Sequence, residues 1–448
     1  MQAEIPHVPT PPAAAWRRWL PSTHVGFVWL VIALLHVVLM KDTSRWSRSD
    51  VLVWDAGGYY LYLPAAFITK DVGDGSFLTY VRKQYRPDLD PDYSLVHLPN
   101  GRAVFKYPIG MAVAYSPWFA LAHGYAKVAG FPPDGYSKPY QRYIALGCMV
   151  YSLLGLWLLG RELRHYVPDH LAALTLLAIS LGTNLFIYST VDAPMSHGTL
   201  FLLNVLLLRY TRQWYEAAGG WAAGSKLALV FGLMLLVRPS ELWMIAVPLL
   251  WGLTSRAAVA QRVRFWLGRW RQLLAMVALV ALVGSVQLLF WRVAGGQWLM
   301  EFYPGERFYL LKPHLLDGLF SARKGWLFWS PVLVFALLGS IWLRRIAPAL
   351  VPVVVVLVPF VVYLTFSWWD WTYGGGFGCR PLISLYPLLS LCLAAFLARW
   401  WNTRAVPVAF VVGALVLLSV RQSWQYSRGV VDCCNMDWAR YKEHFFDH

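Results

Sequence analysis

The side chains able to do chemistry fall in four stretches that interrupt long apolar runs. The first reads Trp54-Asp55-Ala56-Gly57-Gly58-Tyr59-Tyr60-Leu61-Tyr62. Its small residues permit close backbone approach, and its tyrosines offer stacking faces and hydroxyls. In this setting Asp55 is a candidate general base, taking a proton from an attacking hydroxyl. The competing reading is an acid that caps the next helix, with Tyr59 and Tyr60 as interfacial aromatics. The second stretch, Ser189-Thr190-Val191-Asp192-Ala193-Pro194-Met195-Ser196-His197, carries a second candidate acid, Asp192. Asp192 can orient an acceptor, or with Asp55 and His197 coordinate a divalent cation; a helix cap explains it equally well.

The third stretch holds Glu301, Glu306, Arg307, Tyr309, Lys312, His314, Ser321, Arg323 and Lys324. Cations beside a bilayer can hold a phosphate that departs with negative charge. Snorkelling, or pairing with Glu306 or Asp317, is the alternative. The fourth runs from Trp368, Trp369 and Asp370 through Tyr373, four glycines and Cys379 to Arg380-Pro381. Its aromatics suit carbohydrate stacking and Arg380 a phosphate. Arg238, before Pro239, is a lesser phosphate candidate. No P-loop, HExxH or CxxC pair is present.

These residues need elements to position them, and composition says which. Of 448 residues 58% are hydrophobic and 14% charged, against roughly 25% charged in soluble domains. Crossing a ~30 Å hydrocarbon core takes about 20 helical residues. Apolar runs approaching that length recur from residue 24 to residue 420. The expectation is an all-α polytopic membrane protein with about eleven spans: 25–40, 141–160, 170–190, 197–212, 226–238, 240–253, 273–293, 326–343, 349–366, 381–398 and 406–420. The first follows Trp16-Arg17-Arg18 without a convincing cleavage site, so it reads as an uncleaved span. Residues 1–23 read as a disordered cytoplasmic tail, 24–420 as the membrane domain and 421–448 as an outer C-terminal tail.

The segment 108–124 contains Pro108 and Pro117 and reads as interfacial. With that assignment Arg17/Arg18, Arg161/Arg164, Arg209/Arg212, the run Arg256 to Arg271, Arg344/Arg345 and Arg399/Arg404 share one side, taken as cytoplasmic. The long loop 41–140, the turn 191–196, the loop 294–325 and 367–380 with the tail then face outward. Arg323 and Lys324 break the positive-inside trend there. The formal charge of +16 is spread over span ends rather than gathered on one domain, which argues against nucleic acid. Cys148 and Cys392 fall in apolar runs, whereas Cys379, Cys433 and Cys434 fall in outer segments where a disulfide can form. No internal repeat is evident.

Taken together these features resemble the GT-C glycosyltransferases, in particular bacterial members similar to protein O-mannosyltransferases and lipid A aminoarabinose transferases. The resemblance rests on one span followed by a long outer loop opening with Trp54-Asp55, on Lys106-Tyr107-Pro108-Ile109-Gly110, and on Arg238-Pro239. It rests also on Leu319 to Trp326 with Ser330-Pro331, and on the glycine-rich loop from Trp369 to Pro381. It implies a polyprenyl-phosphate-sugar donor, transfer to a lipid, glycan or protein hydroxyl, and usually inversion. It places the site on the periplasmic or exterior face of a bacterial inner membrane and maps the base onto Asp55. Members often carry paired acids in the first loop; here Asp55 is followed by Ala56 and glycines. Some members use a divalent cation such as Mg or Mn, so a metal stays open. The rivals are a secondary transporter or lipid flippase, and a ligase moving a whole glycan from a pyrophosphate carrier.

Overall fold

The computed structural model describes residues 23–44, 50–85, 91–301 and 305–447; of the expected tail 1–23, residues 1–22, with Arg17 and Arg18, lie outside them. The chain is mostly helical. The helices that matter below are α1 (Thr23–Asp42), α2 (Trp54–Tyr60) and α3 (Phe77–Gln84), then α4 (Gly110–Val128) and α5 (Lys138–Leu163). They continue with α6 (Asp169–Leu181), α7 (Ser196–Glu216), α8 (Trp221–Val237), α9 (Arg256–Leu267) and α10 (Trp270–Gly295). Last come α11 (Leu333–Gly339), α12 (Val351–Phe366), α13 (Tyr386–Ser427) and α14 (Trp438–Glu443). A two-stranded antiparallel hairpin, β1 (Leu95–His97) and β2 (Ala103–Phe105), sits between α3 and α4.

Five helical segments are long and apolar enough to cross a membrane among the described residues: His24–Asp42, Lys138–Leu163, Trp270–Gly295, Pro348–Phe366 and Arg380–Ser427. This supports a helical membrane protein but not the expected count of about eleven spans. The apolar runs are there, but several are cut short. Pro239 ends α8 and opens a 3-10 turn over Pro239–Ile245, because proline lacks the N–H that would continue the ladder. The run 326–343 breaks into Trp326–Trp329, α11 and a 3-10 stretch, Ser340–Arg345. Residues 170–190 yield only α6 and a single turn at Leu185–Tyr188.

The expected runs 381–398 and 406–420 are joined in α13, whose one non-helical residue is Arg404, three residues before Pro407. Both ends of α13 reach the same neighbourhood. The Tyr386 hydroxyl donates to Asn184 Oδ1 (2.5 Å), the Asn184 amide donates to the Phe377 carbonyl, and Phe377 stacks 5.1 Å from Tyr426. A straight helix of 42 residues would separate its ends by about 60 Å, so α13 doubles back at Arg404.

The helices pack with one face inward and the other greasy yet exposed. In α10, Leu274, Val277, Leu282, Leu289 and Val293 all lie open. In water, an apolar stripe of that extent would be an aggregation liability; in a bilayer it meets lipid chains. Some inward-facing polar groups pair between helices, as where His36 Nε2 of α1 meets Ser189 Oγ at 2.7 Å. The C-terminal segment is docked: Tyr441 of α14 packs on Phe328 and Trp329 and its hydroxyl accepts from Gln422.

Candidate functional site

Asp55 lies in the first turn of α2, where the helix dipole favours a negative charge. Its carboxylate receives three side-chain donors from two distant parts of the chain. Tyr93 and Tyr107 hydroxyls donate to Oδ1 at 2.9 and 2.8 Å, and Arg380 Nη2 donates to Oδ2 at 3.0 Å. The tyrosines arrive together because of the hairpin. Leu95 is paired with Phe105, and the Lys106 N–H bonds the Ser94 carbonyl at 2.8 Å, so Tyr93 stands opposite Tyr107 two residues beyond the ladder. Tyr93 belongs to the 3-10 turn Pro91–Ser94 and Tyr107 to the bend after β2, and both phenols converge on one oxygen.

Two glycines let these pieces close up. A Cβ on Gly58 would lie 2.2 Å from the Tyr107 ring, and one on Gly110 would lie 2.3 Å from the backbone of Leu236. The second approach seats the end of α8 against the start of α4 and so brings Arg238 to the cluster. Arg238 precedes proline and is extended (φ −149°, ψ 116°), as pre-proline residues must be, which turns it out of the helix. Its charge is felt by Asp55, Tyr59 and Tyr373, yet among the described residues its guanidinium forms no hydrogen bond or ion pair. Burial pushes the Asp55 carboxyl up, but Arg380, the Tyr107 and Tyr93 hydroxyls and Arg238 outweigh it and hold the group below its ordinary value.

Arg380 is held from three sides, donating also to the carbonyls of Tyr373 (2.8 Å) and Gly375 (3.1 Å). As an arginine it stays a cation, facing the Asp55 carboxylate. Backbone strain flanks the pair. Trp54 (φ 50°) and Tyr373 (φ 55°) both sit in the left-handed region, at of order 1–3 kcal/mol each. Glu241 ties the two arginine-bearing segments together. It accepts from Ser384 (2.6 Å), four residues after Arg380, and from Asn204 of α7 (3.1 Å), while itself lying three residues after Arg238.

The other candidates are distributed unevenly around this centre. Tyr59 stacks edge-on to Tyr107 at 5.0 Å and belongs to the cluster; its phenol is pushed up by burial and by Asp55. His197 is buried at the start of α7, edge-on to Tyr188 at 5.1 Å. Tyr60 points elsewhere, donating to the Gly135 carbonyl among Tyr115, Phe119 and Tyr136. Asp192 accepts from Tyr426 (3.2 Å), a tyrosine that also packs against Phe377 of the glycine loop. Asp370 closes its own turn by accepting from Thr372 and Gly374 amides. Trp369 Nε1 donates to Glu306 (2.9 Å) on the exposed rim, where Lys106 stands 3.8 Å from Glu306. Lys324 is buried and spends its ammonium on the carbonyls of Gly376 and Cys433, while Arg323 is exposed and donates to the Cys434 carbonyl. The two cations thus brace the glycine loop behind Arg380 instead of lining Asp55.

Tyr93 and Glu241 carry no role in the sequence reading, and neither Tyr107 nor Gly58 is there tied to Asp55. The pairing of Tyr93 with Tyr107 across a short hairpin was the available signal. A divalent cation has no ligand set at Asp55. Among the described residues the one trio of potential ligands close enough together is Asp432, Cys433 and Cys434, and the two arginines by Asp55 would repel a cation. All five cysteines are free, so none of Cys379, Cys433 and Cys434 is paired. What the residues around Asp55 do form is a carboxylate ready to accept a proton, beside one engaged and one unengaged guanidinium. Compared with protein-family models and with curated proteins, the chain matches none.

Proposed function

We propose that this protein is a membrane glycosyltransferase that moves a monosaccharide from a polyprenyl-phosphate carrier to an acceptor hydroxyl. The carrier's tail partitions in the lipid that bathes the exposed helices, and its head enters sideways between them. The observation that carries the reading is the Asp55–Arg380 contact at 3.0 Å, made across 325 residues of sequence, with Arg238 alongside and unpaired among the described residues. Arg238 and Arg380 take the donor phosphate. The acceptor oxygen attacks the anomeric carbon and its proton passes to Asp55. The bond from that carbon to the phosphate oxygen breaks, and polyprenyl phosphate leaves with its charge against the two guanidiniums.

Asp55 held below its ordinary value is fully ionised near neutral pH but a weak base. A phosphate competing for Arg380 loosens that hold, so the carboxylate gains basicity as the donor arrives. Tyr93 and Tyr107 keep its orientation meanwhile. In this reading the site faces the exterior side of a bacterial inner membrane, because the basic residues at the span ends cluster on the other side.

The test is transfer from a synthetic short-chain polyprenyl-phosphate sugar by the purified protein, with the product weighed by mass spectrometry. One added sugar is expected, lost in Asp55→Asn. Flux of the lipid across liposomes with no covalent product would replace the enzyme by a transporter, and several sugars moved at once would make it a ligase. Undiminished transfer by Asp55→Asn would remove Asp55 from the chemistry.

A further inference from the structure

Behind the glycine loop lies a second reactive feature. Cys433 and Cys434 are adjacent, exposed and half-buried respectively, and both thiols are free. Their sulfurs and the Asp432 carboxylate lie within 4.8 Å of one another. Both sulfurs rest on Gly375: a Cβ there would be 3.3 Å from Cys434 Sγ and 3.7 Å from Cys433 Sγ. The surroundings do not suit a metal. Asp432 is already engaged by the Cys434 and Asn435 amides (2.7 and 3.1 Å) and by Arg440 (3.2 Å), and Lys324 and Arg323 add positive charge.

The peptide between the two cysteines is what matters. The Cys433 carbonyl accepts the Lys324 ammonium at 2.6 Å and the Gly376 N–H at 3.2 Å, and the Cys434 carbonyl accepts Arg323 Nε at 3.0 Å. Lys324 also donates to the Gly376 carbonyl. These contacts fasten the Gly374–Gly378 segment, which delivers Arg380 to Asp55.

The geometry points to Cys433–Cys434 as a reversible oxidation site, a vicinal disulfide whose formation releases the glycine loop from Lys324. Adjacent Cα atoms are about 3.8 Å apart across a trans peptide, shorter than the roughly 4.4–6.8 Å that disulfides usually span. Closing the ring therefore has to rotate the Cys433–Cys434 peptide, and that peptide's own carbonyl is the acceptor for Lys324 and Gly376. The oxidant is an external disulfide, low-molecular-weight or protein-borne. One cysteine thiolate attacks it, forming a mixed disulfide and expelling a thiolate. The second cysteine attacks the mixed disulfide and expels the other thiolate. The external disulfide gains two electrons and two protons, and the cysteine pair loses them. Burial and the neighbouring Cys434 push the Cys433 thiol up to about 11, so exchange quickens toward alkaline pH.

The oxidation itself is independent of the glycosyltransfer reading; only its effect on activity rests on that reading. The full-length protein, purified in detergent, is treated with oxidised glutathione and then with a reductant. Tryptic cleavage after Arg428 and Arg440 isolates both cysteines on one peptide. The expected result is loss of two hydrogens from that peptide and faster amide exchange across 374–380, both reversed by reduction and both absent in Cys433→Ser. A stable glutathione adduct without ring closure, or ring closure that leaves exchange at 374–380 unchanged, overturns the proposal. Donor transfer is then measured on the oxidised and reduced forms. A protein that shows the mass and exchange changes but transfers no sugar in either state keeps this inference and loses the enzymatic one.

Discussion

Two acid–arginine clusters lie at opposite ends of this molecule, and their contrast separates architecture from chemistry. Glu162, at the far end of α5, is fully buried. Its carboxylate is gripped by Arg212 through Nε and Nη2, the latter at 3.0 Å, with Arg209 at 3.7 Å. Arg212 in turn pairs with Glu216 at 2.6 Å. All partners of Glu162 come from the neighbouring α7, so that two carboxylates face two guanidiniums. Asp55 packs near the start of α5, where Gln141 accepts from the Val51 and Leu52 amides at 3.1 and 2.8 Å. From Gln141 to Glu162 the helix runs about 30 Å. The Asp55 cluster is partly open, its side chain 17% exposed, draws its arginine from 325 residues away and has a surplus cation in Arg238. A saturated network locks helices together, whereas one with a spare cation is set up to receive an anion.

Substitutions can break this contrast, and the largest effect belongs to Asp55→Asn. Transfer should fall about 10²–10⁴-fold in protein that still folds, with a smaller loss of stability than removal of the fully buried Glu162 brings, as read by the lipid-donor assay beside thermal unfolding. Glu162→Ala should do the reverse. It leaves buried Arg212 with Glu216 alone and costs up to about 3–5 kcal/mol of stability, yet donor affinity measured on the folded fraction stays unchanged. If Glu162→Ala abolished donor binding in protein that still folded, the division between the clusters would be lost.

Arg238→Ala sharpens the comparison. Without its spare cation the outer site should bind a polyprenyl phosphate about 10- to 100-fold more weakly, equal to roughly 1.5–3 kcal/mol for hydrogen bonds to a charged group. Equilibrium titration with a fluorescent short-chain lipid phosphate checks this; unchanged affinity would leave Arg238 without a ligand. Acid gives a subtler readout. Asp55 has a lower proton affinity folded than unfolded, so its pairing stabilises the protein above about pH 3.9. That contribution is lost as pH falls through the folded value. Stability scans from pH 7 downward should therefore show an acid loss that is smaller in Asp55→Asn. The smallest effect is expected for Glu306→Gln on the rim, under about 1 kcal/mol, seen as little change in either melting or transfer.

The parts legible in the sequence were those whose residue types speak alone. Asp55, Arg238 and Arg380 stood out because charges at the ends of apolar runs are costly unless used or paired. The helical membrane character followed from composition. What could not be read was direction. Asp55 and Tyr59 are four apart and share a face of α2, while Tyr60 is turned roughly 100° further, so the Tyr59-Tyr60 pair splits between the cluster and the core. Lys324 looked like a phosphate ligand because its carbonyl partners, on Gly376 and Cys433, carry no signature in the sequence. The span count failed where prolines and 3-10 turns divide apolar runs, since hydropathy reports burial in lipid and not helix continuity. Tyr93 carries little signal of its own, because it sits in a single 3-10 turn beside a strand of three residues, too short to show alternation.

The tyrosine pair beside Asp55 has a consequence for a stretch of chain that touches nothing reactive. Because the ladder pairs Leu95 with Phe105, removing one residue from the 98–102 bend would shift the register by a step and carry Tyr93 and Tyr107 out of step with each other. The length of that distant bend therefore governs how the carboxylate is held, and a deletion there would behave in an assay like damage to the reactive centre itself.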